Sequence, residues 1–418
     1  MGIHYGKADF INYGKPSLLL DFARNKSLVD RISGNNLITF ERASIGTYVD
    51  ENGLIKTAAA DEARFDHNPE TGESLGLLIE EQRTNLYTQS SDMYNSYWGP
   101  VNLIRTPNAT IAPDGTNTAT LLVANTTNGT HTIKPNIAIS TSFNTVSVFL
   151  KSNGDQYFMI RGDNQSNFCV FDLINGVIAS SSTLNSTTAS IMEYPNGWYK
   201  CIVSYIPAGV GNDPEFYLAN SSTYNTASFS GTGANGVYIW GAQLEAGAFP
   251  TSYIPTSGST FTRQPDIAQI TGTNFTDFYN QNEGSFIATF KFESLGVFSY
   301  NDAIGLSPLG AGFMADSGPL GLVTDIWGGG TRYSGGPDPS SQFVKVARAV
   351  NFSNNDSVIL SSGGNAVAQS SITQTLATGI QFGRRGGGGA YNNRNLKIKQ
   401  LIYYPERLTN AQLQNLTK

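Results

Sequence analysis

Thr145-Val-Ser-Val-Phe-Leu150, the turn Ser152-Asn-Gly-Asp155 and Gln156-Tyr-Phe-Met-Ile-Arg161 decide the fold. Each flanking run is rich in β-branched and aromatic residues and alternates in character, so successive side chains fall on opposite faces of a strand. Asn-Gly between them supplies the positive φ that tight β-turns require. Outward along the chain the pattern recurs in Gly236-Val-Tyr-Ile-Trp240 and Ser285-Phe-Ile-Ala-Thr-Phe-Lys291, with a second Asn-Gly turn at Ile174-Asn-Gly-Val177. From about residue 100 such runs follow one another roughly every 8–12 residues, which predicts an all-β chain of antiparallel sheets with one face on a core. Helical periodicity stands out only at the end: in Leu408–Thr417, Thr409 is placed to cap and Leu408, Leu413 and Leu416 share one side.

The 418 residues suffice for two or three domains at about 100–200 residues each. Charged residues are 14% of the chain, against roughly a quarter in an average soluble protein, and Gly 44 and Pro 17 argue against a helical bundle. A net charge of -6 excludes a cationic surface able to hold a polyphosphate backbone, so nucleic acid is not expected as a partner. Cys169 and Cys201 sit in apolar strand-like runs and are expected to be buried thiols. No run of 18 apolar residues occurs and the first twenty residues lack a basic start followed by an apolar stretch. A soluble chain without signal peptide, membrane insertion or lipid anchor is therefore expected.

Composition divides the chain three ways. Residues 1–86 are the most charged, and their Arg, Asp and Glu side chains among Leu and Ile predict a less regular attachment or docking region. Its run Leu77-Leu-Ile79 also reads as a strand of the middle unit. Residues 87–256 form a Thr/Asn/Ser-rich β unit, and after the small-residue link Thr256-Ser-Gly-Ser-Thr260 a Gly-rich β unit runs through 257–418. No repeat of fixed period occurs, so a solenoid or propeller is not supported.

Four stretches carry a resemblance: Phe40-Glu-Arg-Ala-Ser-Ile-Gly-Thr-Tyr-Val-Asp50; Ala63-Arg-Phe-Asp-His67 with Thr71-Gly72; Leu77-Leu-Ile-Glu-Glu-Gln-Arg-Thr-Asn85; and Gly241-Ala-Gln-Leu-Glu-Ala-Gly247 through Pro255 to Phe261-Thr-Arg263. Together they resemble bacteriophage virion structural proteins of the tail-fibre or appendage type. In the middle unit, Asn196-Gly-Trp-Tyr-Lys-Cys201 and Tyr238-Ile-Trp-Gly-Ala-Gln-Leu-Glu245 are similar to strands of a carbohydrate-binding-module-like jelly roll. In the last, Asn395-Leu-Lys-Ile-Lys-Gln-Leu-Ile-Tyr-Tyr404 and Arg407-Leu-Thr-Asn-Ala-Gln-Leu413 look like the closing strand and helix of a laminin-G or concanavalin-A-like sandwich. The resemblance implies two β-sandwich (jelly-roll) domains behind the less regular N-terminal region. It further implies a location in the virion after assembly in the host cytoplasm, other virion proteins of tail, baseplate or capsid as partners, homotrimerisation, and host surface polysaccharide as ligand.

Sugars are held by aromatic rings against their apolar faces and by amide, guanidinium or carboxylate groups on their hydroxyls. Loops combining both are Asp92–Gly99, with Tyr94, Asn95, Tyr97 and Trp98; Asp325–Tyr333, with Trp327, Arg332 and Tyr333; and Phe382–Arg394, with Arg384, Arg385, Tyr391, Asn392 and Asn393. These rings also suit the ends of a sandwich core, and Trp198 and Trp240, inside strand patterns, are expected in the core itself. Glycan cleavage needs two carboxylates at a defined separation. Glu80 and Glu81 are adjacent, so on a strand they point to opposite faces, and no clustered Glu-x-Asp strand motif is present. The expectation is a non-catalytic adhesin, with a purely architectural head-fibre, decoration or baseplate protein as alternative and a polysaccharide depolymerase behind both. His4, His67 and His131 have no zinc spacing. No cofactor is expected beyond a structural calcium ion, for which Asp66 with Asn68, or Asp114 with Asn117, offer oxygen ligands.

Overall fold

The structure is a computed structural model; it describes residues 14–135, 137, 139, 141–162, 166–207, 209, 214–224, 228–293, 301–307, 311–315, 322–323, 342–354, 356–361, 367–369, 376–383 and 395–418. Among these residues the fold is all-β, two sandwiches joined side by side.

The middle sandwich opposes two six-stranded antiparallel sheets. Its inner sheet runs Thr188–Tyr194, Trp198–Tyr205, Asn144–Asn153, Gly236–Ala246, Ala119–Ala124, Leu103–Thr110. The outer sheet runs Val177–Ser181, Phe168–Asp172, Tyr157–Arg161, Glu215–Ala219, Thr132–Lys134, Gly99–Val101. Alternation puts Val146, Val148, Leu150, Val203 and Ile239 from one sheet against Phe158, Ile160, Phe171, Phe216 and Leu218 from the other. Both thiols are free and buried; burial alone pushes Cys169 up to about 12. The turn Ser152-Asn-Gly-Asp155 is not a hairpin: it carries the chain from the inner to the outer sheet, with Gly154 at φ 100 and a Cβ there blocked by Asn235. The turn at Ile174–Val177 does join paired neighbours.

The inner sheet is covered on both faces. Behind it, the hairpin of Gly46–Val49 and Ile55–Ala58 brings Val49 and Ile55 onto Phe149, Tyr194, Trp198, Trp240 and Tyr253. Trp198 and Trp240 are thus buried as expected, though under this hairpin and not between the two sheets. The expectation of sheets with only one face on a core is thus corrected for Asn144–Asn153, Trp198–Tyr205 and Gly236–Ala246, which are buried on both.

The last sandwich packs a sheet containing Val344–Asn351, Glu283–Phe292, Leu396–Tyr404, Ser74–Ile79 and Arg64–His67 against one containing Thr39–Glu41, Ile267–Thr271, Gly379–Phe382 and Asn301–Ser307. Residues 18–79 belong largely to it: Leu18–Asp21 and Ser74–Ile79 lie end to end along the edge of Leu396–Tyr404 opposite Glu283–Phe292, and Thr39–Glu41 pairs with Ile267–Thr271. Leu77 and Ile79 enter this core beside Phe290, Ile398 and Leu401, so Leu77–Ile79 is a strand of the last unit and not of the middle one. The closing helix Asn410–Leu416 starts at Thr409 in a capping box with Gln412 and seats Leu413 and Leu416 on the back of the same sheet.

Candidate functional site

The four stretches singled out in the sequence converge at the junction of the sandwiches. Arg42, Arg64 and Arg263 are fully buried there with Glu80 and Asp266. Arg42 Nη1 lies 3.0 Å from Asp266 Oδ1, and Arg64 Nη1 lies 2.7 Å from Glu80 Oε2 while its Nη2 reaches Asp266. Glu80 also accepts from the Ser252 amide and hydroxyl, each at 2.7 Å. Burial by itself would raise the Glu80 carboxyl, but Arg263, Arg64 and the Ser252 bonds outweigh it and hold it well below the usual carboxylate range. Beside this cluster Lys397 bridges Asp66 at 3.0 Å and Glu293 at 3.1 Å. Gln243 and Glu245 hold the loop from Thr251 to Ile254 through its backbone amides. Of the charges expected to face a docking partner, Arg42, Arg64, Asp66 and Glu80 are instead neutralised inside the molecule.

Of the loop residues proposed for sugar, Tyr94 is half exposed, stacked under Arg105 at 5.2 Å, and Asn95 lies in the same surface turn. Trp98 is fully buried, edge-on to Tyr87 and Tyr97, with its indole N–H donating to Gln89 O at 2.9 Å. It is a core residue of the middle sandwich, and its ring offers no face to a ligand. Trp327, Arg332, Tyr333, Arg384, Arg385, Tyr391, Asn392 and Asn393 lie outside the described residues. Asp66 is engaged by Lys397 and the Val49 amide, and Asp114 by Thr116. Among the described residues no group of three or more His, Cys, Asp or Glu is placed to hold a metal ion.

Sequence reasoning missed the back of the outer sheet. Register puts Glu215, Arg161 and Phe168 in one row, Tyr217, Met159 and Val170 in the next, and Ala219, Tyr157 and Asp172 in the third. Met159, Val170 and Tyr217 form an apolar floor on which Tyr157, Phe168 and Tyr224 stand half-buried. Arg161 covers the Tyr217 ring at 5.1 Å and pairs with Glu215, which also accepts from Tyr217 and from Lys134 Nζ at 2.7 Å. Burial would raise Glu215, and the bonds from Lys134 and Tyr217 overcome it, keeping the carboxylate ionised. Rings flanked by a fixed carboxylate and two cations can pack a sugar's apolar face and bond its hydroxyls. The signal for this face was the period-2 alternation of Tyr157, Met159 and Arg161, legible once it is known which parity faces outward.

No family model matches the chain, and no curated protein matches it. Among solved structures, the CBM40 of the Ruminococcus gnavus IT-sialidase bound to alpha2,3 sialyllactose aligns at 15% identity over 35% of this chain and 88% of its own, with a TM-score of 0.27. Trypanosoma rangeli sialidase in complex with the inhibitor DANA aligns at 9% identity over 72% of this chain, which spans 60% of that chain's length, with a TM-score of 0.29. A Bacteroides ovatus protein described as carbohydrate binding aligns at 11% identity over 70% of this chain and 81% of its own, with a TM-score of 0.28. The expectation of a non-enzyme is corrected here: sialidases are among the structures that align, over 71–76% of the chain. At these identities and TM-scores the likeness assigns no activity and no catalytic residue. The chain is an all-β sandwich protein, and the comparisons join it to no family.

Proposed function

We propose that the chain binds glycan through the back of its outer sheet. The observation that carries this reading is the group of half-buried rings Tyr157, Phe168 and Tyr224 around the Met159, Val170 and Tyr217 floor, beside the Arg161–Glu215–Lys134 cluster on one sheet face. With the resemblance of the four sequence stretches to phage appendage proteins, the reading extends to a virion protein, assembled with tail, baseplate or capsid proteins and trimeric, that attaches to bacterial surface polysaccharide.

The test is binding of fluorescently labelled full-length protein to intact bacteria, with and without their extracted polysaccharide as competitor. Saturable binding that the polysaccharide abolishes, and that Tyr157→Ala weakens, is the expected result. Binding that polysaccharide leaves untouched overturns the reading, as does no binding by folded protein. Assaying the same mixtures for new reducing ends decides whether binding is accompanied by cleavage.

A further inference from the structure

Between the two sandwiches lies a cleft of about 270 Å³, walled by the N-terminal hairpin, the inner sheet of the middle sandwich and the first sheet of the last sandwich. It is separate from the outer-sheet face, which belongs to the opposite side of the middle sandwich. Three donors on its wall are underused. Lys200, 8% exposed, donates to Thr251 O at 3.2 Å and forms no ion pair among the described residues. Tyr194, 6% exposed, packs its ring edge-on against Phe149 at 5.0 Å, and its hydroxyl has no partner among the described residues. Asn395 uses its carbonyl oxygen to accept from the Glu81 amide at 3.0 Å, and its NH₂ group likewise has no described partner. These groups open onto the cleft, where the oxygens of a ligand can take the place of water as their acceptors.

The charges of the wall say what kind of ligand this is. Lys200, Lys291 and Lys397 are matched by Asp66, Glu70 and Glu293, and Glu80 is already neutralised by Arg64 and Arg263. The wall as a whole is balanced in charge and favours neither a cationic nor an anionic ligand. A neutral polyol meets both requirements, since each hydroxyl donates to a carboxylate and accepts from a free N–H or O–H. The cleft's volume of about 270 Å³ falls just below the roughly 300–1,000 Å³ of drug-sized ligand pockets, which suits one sugar ring and not a chain. Phe149, Tyr253 and the half-exposed Tyr48 supply apolar wall.

We infer that this junction cleft is a second saccharide site, which takes a single neutral sugar residue through Lys200, Tyr194 and Asn395. It draws on its own wall chemistry and stands whether or not the outer-sheet face binds polysaccharide.

The experiment is calorimetric titration of full-length protein with glucose, galactose, mannose, N-acetylglucosamine and, as the charged control, glucuronic acid. Tyr194→Phe removes only the free hydroxyl and keeps the ring packing; Lys200→Met removes a buried charge with little change of volume. At least one neutral sugar is expected to bind, with its Kd raised about two- to tenfold by Tyr194→Phe and more by Lys200→Met. Tyr157→Ala is expected to leave it unchanged. No binding by any neutral sugar overturns the inference, as does binding indifferent to both cleft variants. Preference for glucuronic acid that Lys200→Met abolishes also overturns it, in favour of an anion site. Near-ultraviolet circular dichroism of each variant identifies any loss caused by misfolding, and the other variant then decides.

Discussion

Glu80 and Asp266, 186 residues apart, clasp each other through the backbone: the Glu80 amide donates to the Asp266 carboxylate at 2.8 Å, and the Asp266 amide donates to the Glu80 carbonyl at 2.9 Å. Arg64 spans both carboxylates, and Ser252 ties the end of the middle sandwich to the same Glu80. Removing one partner leaves charges buried and uncompensated, which costs about 3–5 kcal/mol. Glu80→Ala is therefore expected to lower the midpoint of denaturant unfolding strongly, with both sandwiches lost in one transition. Coincident transitions by far-ultraviolet circular dichroism and by tryptophan fluorescence in a Trp327→Phe background, where Trp98, Trp198 and Trp240 report the middle unit, check this.

Acid should attack the same joint. The folded Glu80 carboxyl is held below its unfolded value of about 4.3, so its contribution is fully present above that pH and is lost progressively as pH falls towards the folded value. Unfolding midpoints measured from pH 7 to pH 2.5 are expected to fall mainly below pH 5. Glu80→Gln, already destabilised, should show a flatter profile over the acid range.

Truncating a ring on the outer-sheet face should weaken binding and spare the fold. Tyr157 and Tyr224 are half-buried and rest on the apolar floor without entering the main core. Tyr157→Ala and Tyr224→Ala are each expected to cost about 1–2 kcal/mol of binding, roughly five- to thirtyfold in Kd for polysaccharide. Titration of each variant, with its thermal midpoint as control, measures both quantities.

Trp98 separates a binding loop from a structural one. Fully buried and packed on Tyr87, Tyr97 and Phe216, it should cost about 3–5 kcal/mol of stability on replacement by alanine. Tyr94→Ala, on the exposed side of the same loop, should leave stability almost unchanged. Urea unfolding of the two variants makes the comparison.

The strands around Thr145–Arg161 and the capped closing helix were legible because alternation and capping are local properties. Alternation does not name a partner: nothing in Leu77-Leu-Ile79 says that it lies beside Leu396–Tyr404, more than three hundred residues away. Arg42 and Arg64 read as surface because buried arginine is rare, and only the fold brings Glu80 and Asp266 to them. Tyr94 and Trp98 were indistinguishable in a loop rich in rings and amides; burial separates them. The outer-sheet face escaped because its polar and aromatic residues come from three strands, each unremarkable alone.

The hairpin Gly46–Val49 and Ile55–Ala58 roofs Phe149, Trp198, Trp240 and Tyr253 on the far side of the middle sandwich. Residues 87–256, lifted out by gene exchange or by a cloning boundary, would carry that apolar roof-bed bare into water and self-associate. What is inherited, swapped or expressed as one working piece must therefore include the hairpin some forty residues upstream of the unit it protects.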